Sequence, residues 1–281
     1  MIFNGIISKL VSESLLSLYP VFVKKIDLSI LLQLWTRLIT YVLISVFFVN
    51  YAFISESLFS KQGLLLSLVN LFHIYSSYEG FNNLDSGVSF SIFNIYPLMI
   101  LLFSGVMWKS AYFVTILGLF MFILDNYINT KKTNNANFNY GLIMLILAAI
   151  TEAIIFFIIK EIKTDNSWNH LFLSYLWGSV ILTIYLLFNK NDCIDTKMST
   201  NIVTAIIING IIGTIGYYLR FYSIYRLSPD IYAILSFFGI IMAYIYGILF
   251  NNEKINIYKI IGTIFIMVSN YYILFDTNIS T

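Results

Sequence analysis

Six ionisable residues stand inside long apolar runs of this 281-residue chain: Glu13, Arg37, His73, Glu79, Glu152 and Arg220. A charge near the centre of a bilayer costs at least about 2.5–3.5 kcal/mol, so such a group faces a cavity or a partner. Ser12-Glu13-Ser14-Leu15-Leu16 resembles Thr151-Glu152-Ala153-Ile154-Ile155, one in each half of the chain. A carboxylate at either place binds a cation or a proton, or grips a substrate amine; the alternative is a structural pair with a nearby Arg or Lys. Arg220 offers a two-pronged grip on a carboxylate or phosphate, or an ion pair with Glu79 or Glu152. Arg37 reads as structural. His73 titrates near neutrality and is a candidate proton relay, or else a packed, hydrogen-bonded histidine. Tyr75 and Glu79 are four apart and share a helix face. Tyr96 and Tyr217 are candidate aromatic walls. The expected substrate-binding set is therefore Glu13, Tyr75, Glu79, Tyr96, Glu152, Tyr217 and Arg220.

The elements that must position these groups are membrane spans. The chain is 59% hydrophobic and 11% charged, with mean hydropathy +0.84, whereas soluble domains carry roughly 25% charged residues. Unalternating runs such as Leu142-Ile143-Met144-Leu145-Ile146-Leu147 predict helices and not barrel strands. Ten spans are expected near residues 2–23, 28–50, 62–82, 87–108, 111–126, 139–160, 169–189, 200–226, 229–250 and 257–276. The first holds Lys9 and Glu13, lacks a small-residue cleavage site and reads as a retained helix. Cys193 falls in a polar loop. Trp35, Trp108, Trp168 and Trp177 fall partly near span ends, as interfacial belts do.

The segment from Asp85 to Pro97 reads like the one from Leu227 to Gly239, an offset of about half the chain. Five spans per half is an odd number, so the halves enter the membrane from opposite sides. The expected architecture is all-α: two inverted five-helix repeats, 1–138 and 139–281, with the Lys/Asn-rich stretch around 129–139 as the linker. Pro97 and the aligned Gly239 are candidate hinges, one lacking a backbone donor and one loosening the helix. Paired breaks at one depth suit a central cavity between repeats.

No phosphate-binding GxxxxGK[ST] loop, Gly-x-Ser-x-Gly elbow or metal-ligand cluster occurs. No cofactor or metal is expected, and a net charge of +2 is too small to suggest a nucleic-acid partner. The expected partners are a small-molecule substrate, the lipid bilayer, and a coupled proton or counter-substrate.

The stretch Tyr78-Glu79-Gly80-Phe81-Asn82-Asn83-Leu84-Asp85-Ser86-Gly87, running on to Tyr96-Pro97-Leu98, resembles the span 3–4 hairpin of the drug/metabolite transporter superfamily, EamA-like branch. Asn252-Glu253-Lys254 followed by Ile260-Ile261-Gly262-Thr263 resembles that family's junction of spans 9 and 10, and Arg37 sits where these proteins often carry an arginine. The chain departs from the family at Gly239, where a proline is common, and at Trp108-Lys109, where an acidic residue is common. The resemblance implies alternating access in a cell membrane by a secondary transporter, not an enzyme. It leaves open whether the solute is an amino acid, a nucleotide-related compound or another metabolite. A lipid-modifying membrane enzyme and a non-transporting assembly subunit are the alternatives.

Overall fold

Serine, asparagine and proline set where the helices begin. Ser29 accepts a hydrogen bond from the Leu32 amide at 3.4 Å, Asn50 from Phe53 at 3.3 Å and Ser60 from Gly63 at 3.0 Å, each satisfying one of the amides a helix start leaves free. Pro20 stands in the first turn of its helix, where its missing N–H costs nothing. The computed structural model describes residues 2–103, 109–130, 137–162, 164–188, 196–227 and 229–277. Among these the chain is all-helical: α1 (Ile2–Leu16), α2 (Tyr19–Lys25), α3 (Ile30–Ser45), α4 (Tyr51–Ser57), α5 (Lys61–Asn83), α6 (Ser86–Phe93), α7 (Tyr96–Phe103), α8 (Lys109–Thr130), α9 (Phe138–Glu161), α10 (Ser167–Phe188), α11 (Thr196–Ile208), α12 (Thr214–Ile224), α13 (Pro229–Asn251) and α14 (Ile257–Thr277), with a π-helical segment, Asn209–Gly213, joining α11 to α12. The linker residues 131–136, Cys193 and Trp108 lie outside the described residues.

Six helical segments are long and apolar enough to cross a membrane: Phe3–Lys25, Ser110–Ile128, Phe138–Glu161, Ser167–Phe188, Ser199–Ile224 and Ile234–Asn251. That is fewer than the ten expected from sequence, for physical reasons. α5 has the length, at 23 residues, but carries Asn70, His73, Ser76, Ser77 and Glu79. Ile30–Ser45, Ser86–Ile100 and Ile257–Ser269 are apolar but shorter. The molecule is a multi-pass integral membrane protein. Its surface carries Phe47, Phe113, Leu187, Phe188 and Leu249, all strongly exposed, while Lys9, Glu13, Arg37, His73, Glu152 and Arg220 are buried. Apolar side chains face out where lipid replaces water, and the charges face in.

Two spans are interrupted. α1 stops at Leu16 and α2 starts at Tyr19; α6 stops at Phe93 and α7 starts at Tyr96, with Pro97 in the first turn of α7. At the break the Phe90 carbonyl accepts both the Asn94 amide at 3.0 Å and the Asn94 side chain at 2.8 Å. α13, by contrast, runs unbroken through Gly239.

α5 packs most extensively on α9 and α8 on α14; α1 lies against α12 and α13, α10 against α3 and α5, α6 against α13, and α6 with α7 against α9. The α8–α14 crossing is set by two glycines facing one another. A Cβ on Gly118 would stand 2.9 Å from the Gly262 carbonyl oxygen, and one on Gly262 would stand 2.9 Å from that of Gly118. Small residues let membrane helices approach at their backbones, and packing there stands in for a hydrophobic drive that lipid cannot supply.

Candidate functional site

Lys9 and Glu13 are one turn apart on α1 and point the same way. The Lys9 Nζ donates to Glu13 Oε1 at 2.5 Å and also sits 3.5 Å over the Tyr232 ring of α13. α1 is held in place by Ser12, which donates to the Gly216 carbonyl of α12 at 2.8 Å, and by Ser14, 3.0 Å from the Tyr246 hydroxyl of α13. Gly239 faces the Glu13 carboxylate and the Phe90 ring so closely that a Cβ there would collide with both.

A second ion pair comes from the other half. Arg220 of α12 pairs with Glu152 of α9, and His73 Nε2 of α5 lies 3.4 Å from the other Glu152 oxygen. His73 Nδ1 is 3.0 Å from the Ala148 carbonyl, which can only accept, so that nitrogen carries the proton. The Nε2 of the neutral ring then has a lone pair facing a carboxylate, and one added proton on either group turns that opposition into a hydrogen bond.

Glu13, His73 and Arg220 line a small cavity of about 30 Å³ together with Arg37, Tyr96 and Tyr217. The ends of both broken helices reach it, through Leu16 and Tyr19 at one break and Asn94 at the other. This space holds a few waters; a bound metabolite needs several hundred Å³. Glu152 stands behind the cavity wall, on Arg220 and His73. The structure does not bring Tyr75 and Glu79 to this place. Tyr75 pairs with Tyr140 and Glu79 on the other flank of α5, and neither lines the cavity. Tyr96 is fixed by a 3.0 Å contact of its hydroxyl with Ser236.

Sequence reasoning treated Arg37 as structural, yet it lines the cavity inside a cage of rings from five helical segments. Its guanidinium carbon is 4.7 Å from the Tyr19 ring centre, 5.5 Å from Tyr41 and from Tyr78, 5.8 Å from Tyr175 and 4.6 Å from Tyr217. Tyr19 in turn is 2.6 Å from the Tyr41 hydroxyl and donates to Asn209 of the π-helical segment at 2.7 Å. Lys9 was also missed as part of the site; its spacing of four from Glu13 was the available signal.

One end of the bundle is latched by charge. Asn252 takes a positive φ of 53°, which asparagine tolerates better than most residues, and turns Glu253 inward. Glu253 accepts from the Ser86 amide at 2.6 Å, from the Ser86 hydroxyl at 2.7 Å and from Lys24 at 2.7 Å. Lys259 pairs with Asp85 beside it. These contacts tie α2, α6, α13 and α14 together at the rim of a recess of about 630 Å³. Glu253→Gln keeps the shape and removes the charge. It is expected to raise hydrogen–deuterium exchange at the α6 and α14 starts while exchange in α9 stays as it was; unchanged exchange at α6 would show that the latch holds nothing.

Residues 139–275 match the family model of the EamA-like transporter family. A crystal structure of another protein is similar in fold, with 12% sequence identity and a TM-score of 0.56, covering 95% of this chain and 94% of that one. No curated protein matches.

Proposed function

We infer that this chain, whose residues 139–275 match the model of the EamA-like transporter family, is a secondary active transporter that moves a small polar organic solute by alternating access. The observation that carries the reading is the pairing of opposite buried charges, drawn from both halves of the chain, around one small cavity. Charges at that depth are retained when they face a pathway.

The inverted repeat is supported by the packing itself. Exchanging α1–α2 with α9, α3 with α10, α5 with α11–α12, α6–α7 with α13, and α8 with α14 maps the most extensive helix contacts onto one another. The contact of α1 with α12 becomes that of α9 with α5. The contact of α1 with α13 becomes that of α9 with α6 and α7, while α3–α10, α6–α13 and α8–α14 map onto themselves. Ten spans in two five-helix repeats, 1–138 and 139–281, satisfy this symmetry. Rocking one repeat against the other would enlarge the cavity alternately toward each side. The small volume of the cavity and the latched end then correspond to a contracted state of the carrier.

Glu13, Tyr96, Tyr217 and Arg220 are the residues proposed to meet the solute. His73 with Glu152 is proposed to exchange a proton, since a proton added there changes the hold of Glu152 on Arg220. Pro97 marks a place where span 4 can bend, and Gly239 is kept as its partner in span 9. The bilayer of the cell membrane is the expected setting. A lipid-modifying enzyme would expose its reactive groups to lipid near an interface, whereas Glu13, His73, Glu152 and Arg220 are buried within the bundle.

Purified protein in liposomes loaded with a mixed metabolite extract tests this. At least one polar solute is expected to be exchanged against external solute, with the flux responding to an imposed pH gradient. No flux of any solute defeats the reading, and flux indifferent to pH removes the proton from it.

A further inference from the structure

The charges of the central site do not cancel. Lys9 is neutralised by Glu13 and Arg220 by Glu152. Arg37 remains, buried to 2% exposure, with no carboxylate at ion-pair distance among the described residues. Its hydrogen-bond partners are neutral hydroxyls, at 3.5 Å on Tyr78 and 3.3 Å on Tyr175 and also on Tyr217, and its Nε has no hydrogen-bond partner. Tyrosine faces attract a cation, and five of them keep the guanidinium in place, yet they supply no negative charge. A planar fork of donors, preassembled on the wall of a cavity and lacking an anion, fits the two oxygens of a carboxylate, or of a phosphate monoester, side by side.

We propose that Arg37 in its tyrosine cage is an anion-binding subsite, and that the solute carried by this protein bears a carboxylate or phosphate that docks there. The second half of this statement rests on the transport reading; the first does not. Arg220 is not the anion's main holder, because Glu152 already occupies it. The small size of the cavity means that the anion enters when the bundle opens, and its charge then supplies what the closed cage lacks. Of the five tyrosines, Tyr19 and Tyr217 line the cavity with Arg37, so an anion on Arg37 lies between α2, α3 and α12.

The test is a thermal-unfolding series on the full chain in detergent with small probes that differ mainly in charge: lactate and glycerol 3-phosphate against lactamide, glycerol and 1-amino-2-propanol. Either anion, and neither neutral nor cationic probe, is expected to raise the unfolding temperature. Arg37→Gln should abolish the shift, and Arg37→Lys, which keeps the charge and loses the fork, should weaken binding about ten- to hundredfold, the worth of one charge-assisted hydrogen bond. Equal shifts from neutral and anionic probes, or no shift from either anion, overturn the proposal. So does an anion shift that survives unchanged in Arg37→Lys, which decides the matter even if Arg37→Gln does not fold. Liposome flux separates the two readings. Anion stabilisation through Arg37 without flux of any solute leaves the subsite and removes the carrier; flux of neutral or cationic solutes without anion stabilisation does the reverse.

Discussion

Arg220→Ala is expected to lose more stability than the double replacement of Arg220 and Glu152. The pair is buried, with side-chain exposures of 7% and 11%. Removing one member leaves the other as an uncompensated charge at membrane depth, and breaking a buried pair in this way costs about 3–5 kcal/mol. Removing both leaves a polar void beside His73, which is milder. Unfolding in detergent, measured on the two single variants and the double, gives the coupling directly. A double-variant loss equal to the sum of the single losses would mean that the two side chains do not act as a unit. Transport should fall in all three variants, because the cavity wall at Arg220 is lost in two of them and left unanchored in the third.

How much of this site is legible in the sequence depends on whether its signal is local. Glu13 and Glu152 are readable because each interrupts an apolar run at a similar place in its half, and the structure sets both beside cations near one cavity. The interruption of span 4 is readable through Pro97, although the helix breaks before the proline, at Asn94 and Ile95. The break after Leu16 is signalled only by Pro20. The cage around Arg37 is not legible at all. Its tyrosines lie at positions 19, 41, 78, 175 and 217, and nothing in their local sequence sets them apart from the other sixteen tyrosines. Only the tertiary crossing of the helices brings them together. The same holds for Tyr75 and Glu79: a shared helix face can be read from their spacing, but which neighbour that face meets is decided by the docking of α5 on α9. The π-helical segment at Asn209–Gly213 is likewise a tertiary product. Gly213 passes so close to the Tyr19 and Tyr41 hydroxyls that a side chain there would collide with them, and the widened turn lets Asn209 reach Tyr19.

Gly239 separates two physical accounts of span 9, and one pair of substitutions distinguishes them. If Gly239 serves chiefly as a hinge, Gly239→Ala should reduce transport whatever lies opposite it, since alanine stiffens a helix by roughly 0.5–1 kcal/mol relative to glycine. The geometry argues for a different and larger effect. A Cβ at this position collides with the Glu13 carboxylate and stands 2.6 Å from Phe90 Cε1. The collision pushes Glu13 off Lys9, which is fully buried and stacked on Tyr232, and a lysine stranded there without its carboxylate costs several kcal/mol. Gly239→Ala should therefore lower both stability and transport. Glu13→Ala, which vacates the space but also strands Lys9, should be destabilising by itself. Gly239→Ala added to Glu13→Ala should then cost less than it does alone, because the carboxylate is gone and only the Phe90 ring still has to shift. A double-mutant cycle on unfolding in detergent reads this out: strong non-additivity supports close packing against Glu13 as the reason for the glycine. An undiminished effect of Gly239→Ala in the Glu13→Ala background would mean that the Glu13 contact is not the reason for the glycine, leaving backbone freedom and the Phe90 ring to explain it.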